Sequence, residues 1–120
     1  MRSDACMIMD GGREICIDPT LPLLHLLGMK YSMLILGVLS KGRPLQFNRI
    51  IEAIPHSNST IISRTLKEMQ EQHIVRKVNV GKTVRYALTP FGIEMRESVI
   101  PLLRYVADRT SGLDASITVA

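Results

Sequence analysis

Cysteine is scarce in this sequence: Cys6 and Cys16 are the only two, and both fall in the polar N-terminal segment. So few, in a chain able to build a core of its own, argue against a disulfide scaffold and for two free thiols in a reducing cytoplasm. Nothing in that segment resembles a secretory leader. Long apolar runs are missing too. Leu21 to Leu39 comes nearest, but His25, Gly28 and Lys30 interrupt it, short of the ~20 residues a bilayer crossing needs. Two core helices are expected there, and no membrane span. There is no glycine-rich phosphate loop, no nucleophile motif and no set of ligands at metal spacing. His25, His56 and His73 are scattered and read as core or surface residues. The serines between Ser57 and Ser63 are better explained by helix capping than by nucleophilic chemistry. An enzyme, a cofactor and a metal are therefore not expected, and no internal repeat or low-complexity tract suggests an array or a linker.

What is present suits one small domain: 120 residues, 46% hydrophobic and 22% charged. The net charge of +4 says little until it is located. From Lys41 to Thr89 there are nine basic residues against three acidic ones, a net +6. Each flank holds three bases and four acids. All of the positive excess sits in the middle of the chain.

Periodicity divides the chain into an arm over 1–14, a folded domain over 15–109 and a frayed tail over 110–120. Asp18-Pro19 offers a helix start, followed by Leu21, Leu24 and Leu27 at helical spacing, with Leu23 and Leu26 making that helix apolar almost all round. A chain this small cannot cover such a helix alone, so part of the cover is expected from a second subunit. A second helix runs from about Lys30 to Leu39 and ends at Ser40-Lys41-Gly42. After an extended step at Arg43-Pro44-Leu45, a short third helix spans about Gln46 to Ile54.

Ser57, Asn58 and Ser59 are all good cap types ahead of the periodic run Ile61, Ile62, Thr65, Leu66, Met69. The opposite face is then Ser59, Thr60, Ser63, Arg64 and Lys67, which is short, hydrogen-bonding and basic. From Ile74 the period changes to two. Val78 and Val80, a Gly81-Lys82 turn, then Val84, Tyr86 and Leu88 spell a β-hairpin with Lys77, Lys82, Thr83 and Arg85 outward. Thr89-Pro90 starts a last helix whose stripe is Met95, Val99, Leu102 and Val106, widened by Ile100 and Leu103. Pro101 should kink that helix or divide it.

Helix, short helix, polar-faced helix and basic hairpin, in that order, describe a mainly α (α+β) winged helix-turn-helix, with a two-stranded hairpin wing and terminal dimerisation helices. Arg64 can donate two hydrogen bonds to a guanine edge, Asn58 can read adenine, and Ser59, Thr60 and Ser63 can serve bases or phosphates. Lys67, Arg76, Lys77, Lys82, Thr83 and Arg85 suit the sugar-phosphate backbone. The implied partner is double-stranded DNA with a pseudo-palindromic operator, bound by a homodimer through Leu21, Leu24, Leu27, Met95, Val99, Leu102, Leu103 and Val106. An effector between the dimer helices stays open.

The motifs also resemble the HxlR-type winged-helix regulators, a MarR-related group. Gly28-Met29-Lys30-Tyr31 is similar to that family's Gly-Gly-Lys-Trp, and Arg43 to Phe47 to its Arg-Phe segment. Leu66-Lys67-Glu68-Met69 with Ile74-Val75-Arg76 is similar to Leu-Lys-Glu-Leu and Leu-Val-x-Arg, and Tyr86 to Gly92 to Tyr-x-Leu-Thr-x-x-Gly. The resemblance runs from about Asp18 to Val106. It implies a dimer of the terminal helices, a recognition helix beginning near Asn58 and a wing over about Arg76 to Tyr86. Asp18-Pro19 stands where many members have Cys-Pro, and the wing tip lacks their proline. Two other readings are open: a winged helix that docks a protein, which calls for an apolar patch on the same face, and a thiol-based redox regulator using Cys6 and Cys16.

Overall fold

The computed structural model describes residues 6–111. Residues 1–5 of the expected arm and 112–120 of the expected tail lie outside that range. The first element corrects the sequence reading. Strands β1 (Cys6–Asp10) and β2 (Arg13–Cys16) pair as an antiparallel hairpin where a patternless arm was expected. Gly11 and Gly12, at φ 60° and 81°, supply the two positive dihedrals that a two-residue turn of the right twist demands. The register sets Cys6 opposite Cys16, and Cys16 is disulfide-bonded. For Cys16 the expectation of a free thiol fails, because cysteine count and spacing do not reveal cross-strand register.

Helix α1 (Pro22–Leu27) begins three residues later than Asp18-Pro19 suggests. Asp18 instead closes a turn, its Oδ1 accepting from the Thr20 amide at 2.9 Å and the Thr20 hydroxyl at 2.7 Å. Helix α2 (Ser32–Val38) follows Tyr31, which caps it from the left-handed region at φ 73°. Leu26, Ile35, Leu36 and Leu39 bury their side chains completely or nearly so. A two-residue strand β3 (Leu45–Gln46) leads into α3 (Phe47–Ala53), whose Ile50 enters the same core.

Helix α4 (Ser59–Glu71) packs Ile62, Thr65, Leu66 and Met69 inward. It ends in a Schellman turn. His73 sits at φ 62°, the Ile74 amide donates to Met69 O at 2.9 Å, and the His73 amide donates to Gln70 O at 3.0 Å. Strands β4 (Val75–Val80) and β5 (Thr83–Leu88) pair in register from Val75↔Leu88 to Val80↔Thr83. β3 joins the other edge of β5, giving the order β3-β5-β4: three strands where the sequence reading expected two.

Helix α5 (Pro90–Ser111) is one helix of 22 residues. Pro101 does not divide it. Pro101 and Glu97 are both exposed, so water can solvate the Glu97 carbonyl that proline leaves without a donor. Thr110 and Ser111, placed in the tail by the sequence reading, are helical. α5 is bound to the body at two points. Arg96 donates to Gly37 O of α2 through Nη2 at 3.0 Å and Nε at 3.3 Å, and Gly92 is buried against the backbone of Ile74.

Candidate nucleic-acid interface

The polar face of α4 begins at its cap. Asn58 lies in the extended region at φ −111° and ψ 119°, and its Oδ1 accepts from the amides of Thr60 at 2.9 Å and Ile61 at 3.1 Å. Two of the four amides that a helix N-terminus leaves without partners are thereby satisfied. The Asn58 carbonyl is occupied by the helix itself, which leaves only its NH2 group for any base. From that start, helical periodicity turns Ile62, Thr65, Leu66 and Met69 to the core and leaves Ser59, Thr60, Ser63, Arg64 and Lys67 exposed. Thr65 is fully buried, and its hydroxyl is satisfied locally, donating to Ile61 O at 2.8 Å.

Pleating sorts the wing residues between two faces. Val75, Lys77 and Asn79 share one with Leu88, Tyr86 and Val84. Val75 and Leu88 are in the core, so this face looks toward the helices, and Lys77 and Tyr86 carry it outward past the core's edge. There they line a groove of about 390 Å3 with Ser63, Lys67, Gln70 and Glu71 of α4. A second depression, about 350 Å3, is lined by Phe47, Ser59, Thr60 and Ser63, so the two meet at Ser63. Ser59, Thr60, Ser63, Lys67 and Lys77 thus border two adjacent depressions, together a trough along α4 between the helix pair and the wing.

Other expected residues fall elsewhere. Arg76, Thr83 and Arg85 occupy the opposite face of the sheet, with Gln46 of β3 set against Arg85. Lys82 is at the exposed tip, and Arg64 is exposed on α4 but lines neither depression. The Thr83 hydroxyl donates to Val80 O at 2.7 Å and so serves the hairpin turn. Among the described residues the one ion pair is Arg49–Glu52 at 3.5 Å, so no carboxylate holds the cations of the trough or the wing. Phe47, Gln70, Glu71 and Tyr86 were missed as lining residues. Tyr86 was legible in principle, since hairpin register pairs it with Lys77.

The expected dimer residues also divide. Met95 and Val99 pack against this chain's own core, and Leu103 reaches α2, its Cδ1 3.3 Å from where a Cβ on Gly37 would sit. Leu24 and Leu27 are half-buried. Leu21, Leu102 and Val106 remain 44%, 51% and 48% exposed, joined by Tyr105 at 60%, which was not among the expected dimer residues.

The model of the HxlR-like helix-turn-helix family matches residues 26–112, from α1 through α5. The chain belongs to that family. A solved structure of a possible HxlR family transcriptional factor from Thermoplasma volcanium is 43% identical, with a TM-score of 0.77 over 90% of this chain and 95% of that one. The reduced form of the transcriptional regulator YodB from B. subtilis is 28% identical, with a TM-score of 0.59 over 75% of this chain and 93% of that one. An ArsR-like transcriptional regulator from Rhodococcus sp. RHA1, at 22% identity and a TM-score of 0.53 over 82% of this chain and 90% of that one, shares the fold. As an HxlR-type protein the chain is a DNA-binding transcriptional regulator of the winged helix-turn-helix class. No helix among the described residues is long and apolar enough to cross a membrane.

Proposed function

We propose that this regulator works in the cytoplasm as a homodimer without catalytic activity, placing α4 of each copy in the major groove of a pseudo-palindromic operator. The observation that carries the reading is the trough: hydroxyls at Ser59, Thr60 and Ser63 line one depression, and Ser63, Lys67 and Lys77 line the next, with Glu71 the single carboxylate beside them. Hydroxyls and bases of this kind serve base edges and phosphates. Arg64, exposed on α4, and Lys82, at the wing tip, extend the contact to either side. Exposed Leu21, Leu102, Tyr105 and Val106 supply an apolar seam for the second copy. Two-fold symmetry then asks for half-sites about one helical turn apart, ~10 bp, or a multiple of it. A protein-docking winged helix is less well supported, because the trough is polar.

The test is selection from a random duplex pool at two salt concentrations, for the wild type and for Lys67→Ala with Lys77→Ala. The wild type should enrich a palindrome. The double variant should bind every sequence more weakly, with a salt slope lower by about 2. Absence of wild-type binding even at low salt would sink the reading.

One observation favours a second reading, a thiol-based response: Cys16 is disulfide-bonded. If reduction changes operator affinity tenfold or more, the N-terminal hairpin is a redox input. If affinity is unchanged, the disulfide only braces that hairpin.

A further inference from the structure

A further cleft lies away from the trough. It measures about 410 Å3, within the range of small-molecule sites, and is lined by Val38, Ser40, Arg43, Leu45, Arg49, Glu52 and Ala53. A neighbouring cleft of about 330 Å3 shares Arg43, Leu45 and Arg49 and adds Pro44, Gln46 and Arg85. Three arginines, from the loop before β3, from α3 and from β5, therefore line the smaller cleft, and two of them line both.

Two features separate this space from ordinary basic surface. Glu52 is the one carboxylate in either wall, and it pairs with Arg49 at 3.5 Å with both side chains about two-thirds exposed, a contact of little strength. Arg43 and Arg85 have no such partner among the described residues. The second feature is Arg85 Nε, which is buried and makes no hydrogen bond. A buried charged donor without a partner is costly and is seldom kept without a role.

We infer that this cleft binds a small organic anion, its carboxylate or phosphate among Arg43, Arg49 and Arg85 and its apolar body against Val38, Leu45 and Ala53. The orientation follows from the walls. Arg85 lines only the smaller cleft, Val38, Glu52 and Ala53 only the larger, and Arg43, Leu45 and Arg49 line both. Planar guanidinium groups match the forked geometry of a carboxylate or phosphate better than lysines would. The site stands independently of the DNA reading. Its regulatory meaning rests on that reading, because α3 and β5 flank the recognition helix and form the wing, so an occupant would bear on both.

The experiment is a titration of the free protein, followed by amide chemical shifts, with benzoate as probe and with benzamide and inorganic phosphate alongside. Benzoate should give saturable shifts around residues 43–53 and at Arg85, with a Kd on the order of 10 mM or below. Benzamide, which has the same ring without the charge, should bind at least tenfold more weakly. Arg43 and Arg49 are exposed, so Arg43→Ala with Arg49→Ala should leave the fold intact and weaken benzoate at least tenfold. Absence of saturable shifts from either anion, or shifts that survive in the double variant, overturns the inference. So does a double variant that loses operator affinity while the wild type ignores both anions, which would make the cleft an extension of the DNA-backbone contact. Failure of the DNA reading would appear separately, in the duplex selection.

Discussion

Replacing Gly92 by alanine sets two physical effects against each other. Gly92 lies in the first turn of α5, where helix propensity alone predicts a gain of about 1 kcal/mol on exchanging glycine for alanine. The structure predicts the reverse. A Cβ at Gly92 would collide with the carbonyl oxygen of Ile74, with the Ile74 carbonyl carbon at 3.1 Å and Cγ2 at 3.2 Å. The obstacle is backbone, and Ile74 is fully buried, so nothing nearby can swing aside. To regain ordinary contact α5 must retreat by roughly 1 Å. That retreat loosens the bond from the Thr89 amide to Ile74 O, at 2.9 Å, and from the Gly92 amide to Thr89 Oγ1, at 3.0 Å. Two hydrogen bonds at about 1 kcal/mol each and about 1–3 kcal/mol of overpacking, less the propensity gain, leave a net loss of about 2–4 kcal/mol. Urea unfolding followed by far-ultraviolet circular dichroism, at fixed protein concentration, measures it. Gly37→Ala is the control, since its new Cβ would meet only the movable side-chain ends of Leu103 at 3.3 Å and Ile100 at 4.0 Å and should be near neutral. A Gly92→Ala protein as stable as the wild type would refute the steric argument.

Three further outcomes are expected. His73→Gly should stabilise the fold by about 0.5–1 kcal/mol in the same urea assay, because relief of the left-handed penalty outweighs the added freedom of the unfolded chain; a loss of stability would show that the imidazole contributes more than its backbone costs. Asn58→Ala should cost about 1 kcal/mol in urea by removing the cap of α4, and should weaken duplex binding no more than that loss of helix order explains. A far larger loss of binding at full folding would mean that Asn58 also reads a base. Leu102→Asp with Val106→Asp should convert a dimer to a folded monomer in sedimentation, and persistence of the dimer would move the seam elsewhere.

Much of the architecture could be read from local chemistry. The Asn58 cap, the stripe Ile62, Thr65, Leu66, Met69 and the turn at Gly81-Lys82 each depend on neighbours within a few residues, and α4 and the β4–β5 hairpin stand where those signals put them. What escaped depended on contacts between distant parts of the chain. β3 is two residues long and exists because β5 offers it an edge, which no periodicity in Leu45-Gln46 can announce. The β1–β2 hairpin did carry a signal, Asp10-Gly11-Gly12, but its strands are exposed on both faces where described and show no alternation to support the turn. For the candidate site, the residues of α4 were legible from one helix face. The separation of Lys77 from Arg85 onto opposite sides of the sheet needed the register, and the meeting of Arg43, Arg49 and Arg85 needed the tertiary fold.

The corner between α4 and α5 has a mechanical consequence. Thr89 holds both sides of it, its hydroxyl donating to His73 O at 2.6 Å and its amide to Ile74 O, while Gly92 lets α5 sit flush against that backbone. Such a joint has almost no play. In a dimer joined along α5, each reading helix would travel as a fixed outrigger on the helix that forms the seam. A few degrees of pivot between the two copies would alter the span between their reading heads, and no part of either head need deform.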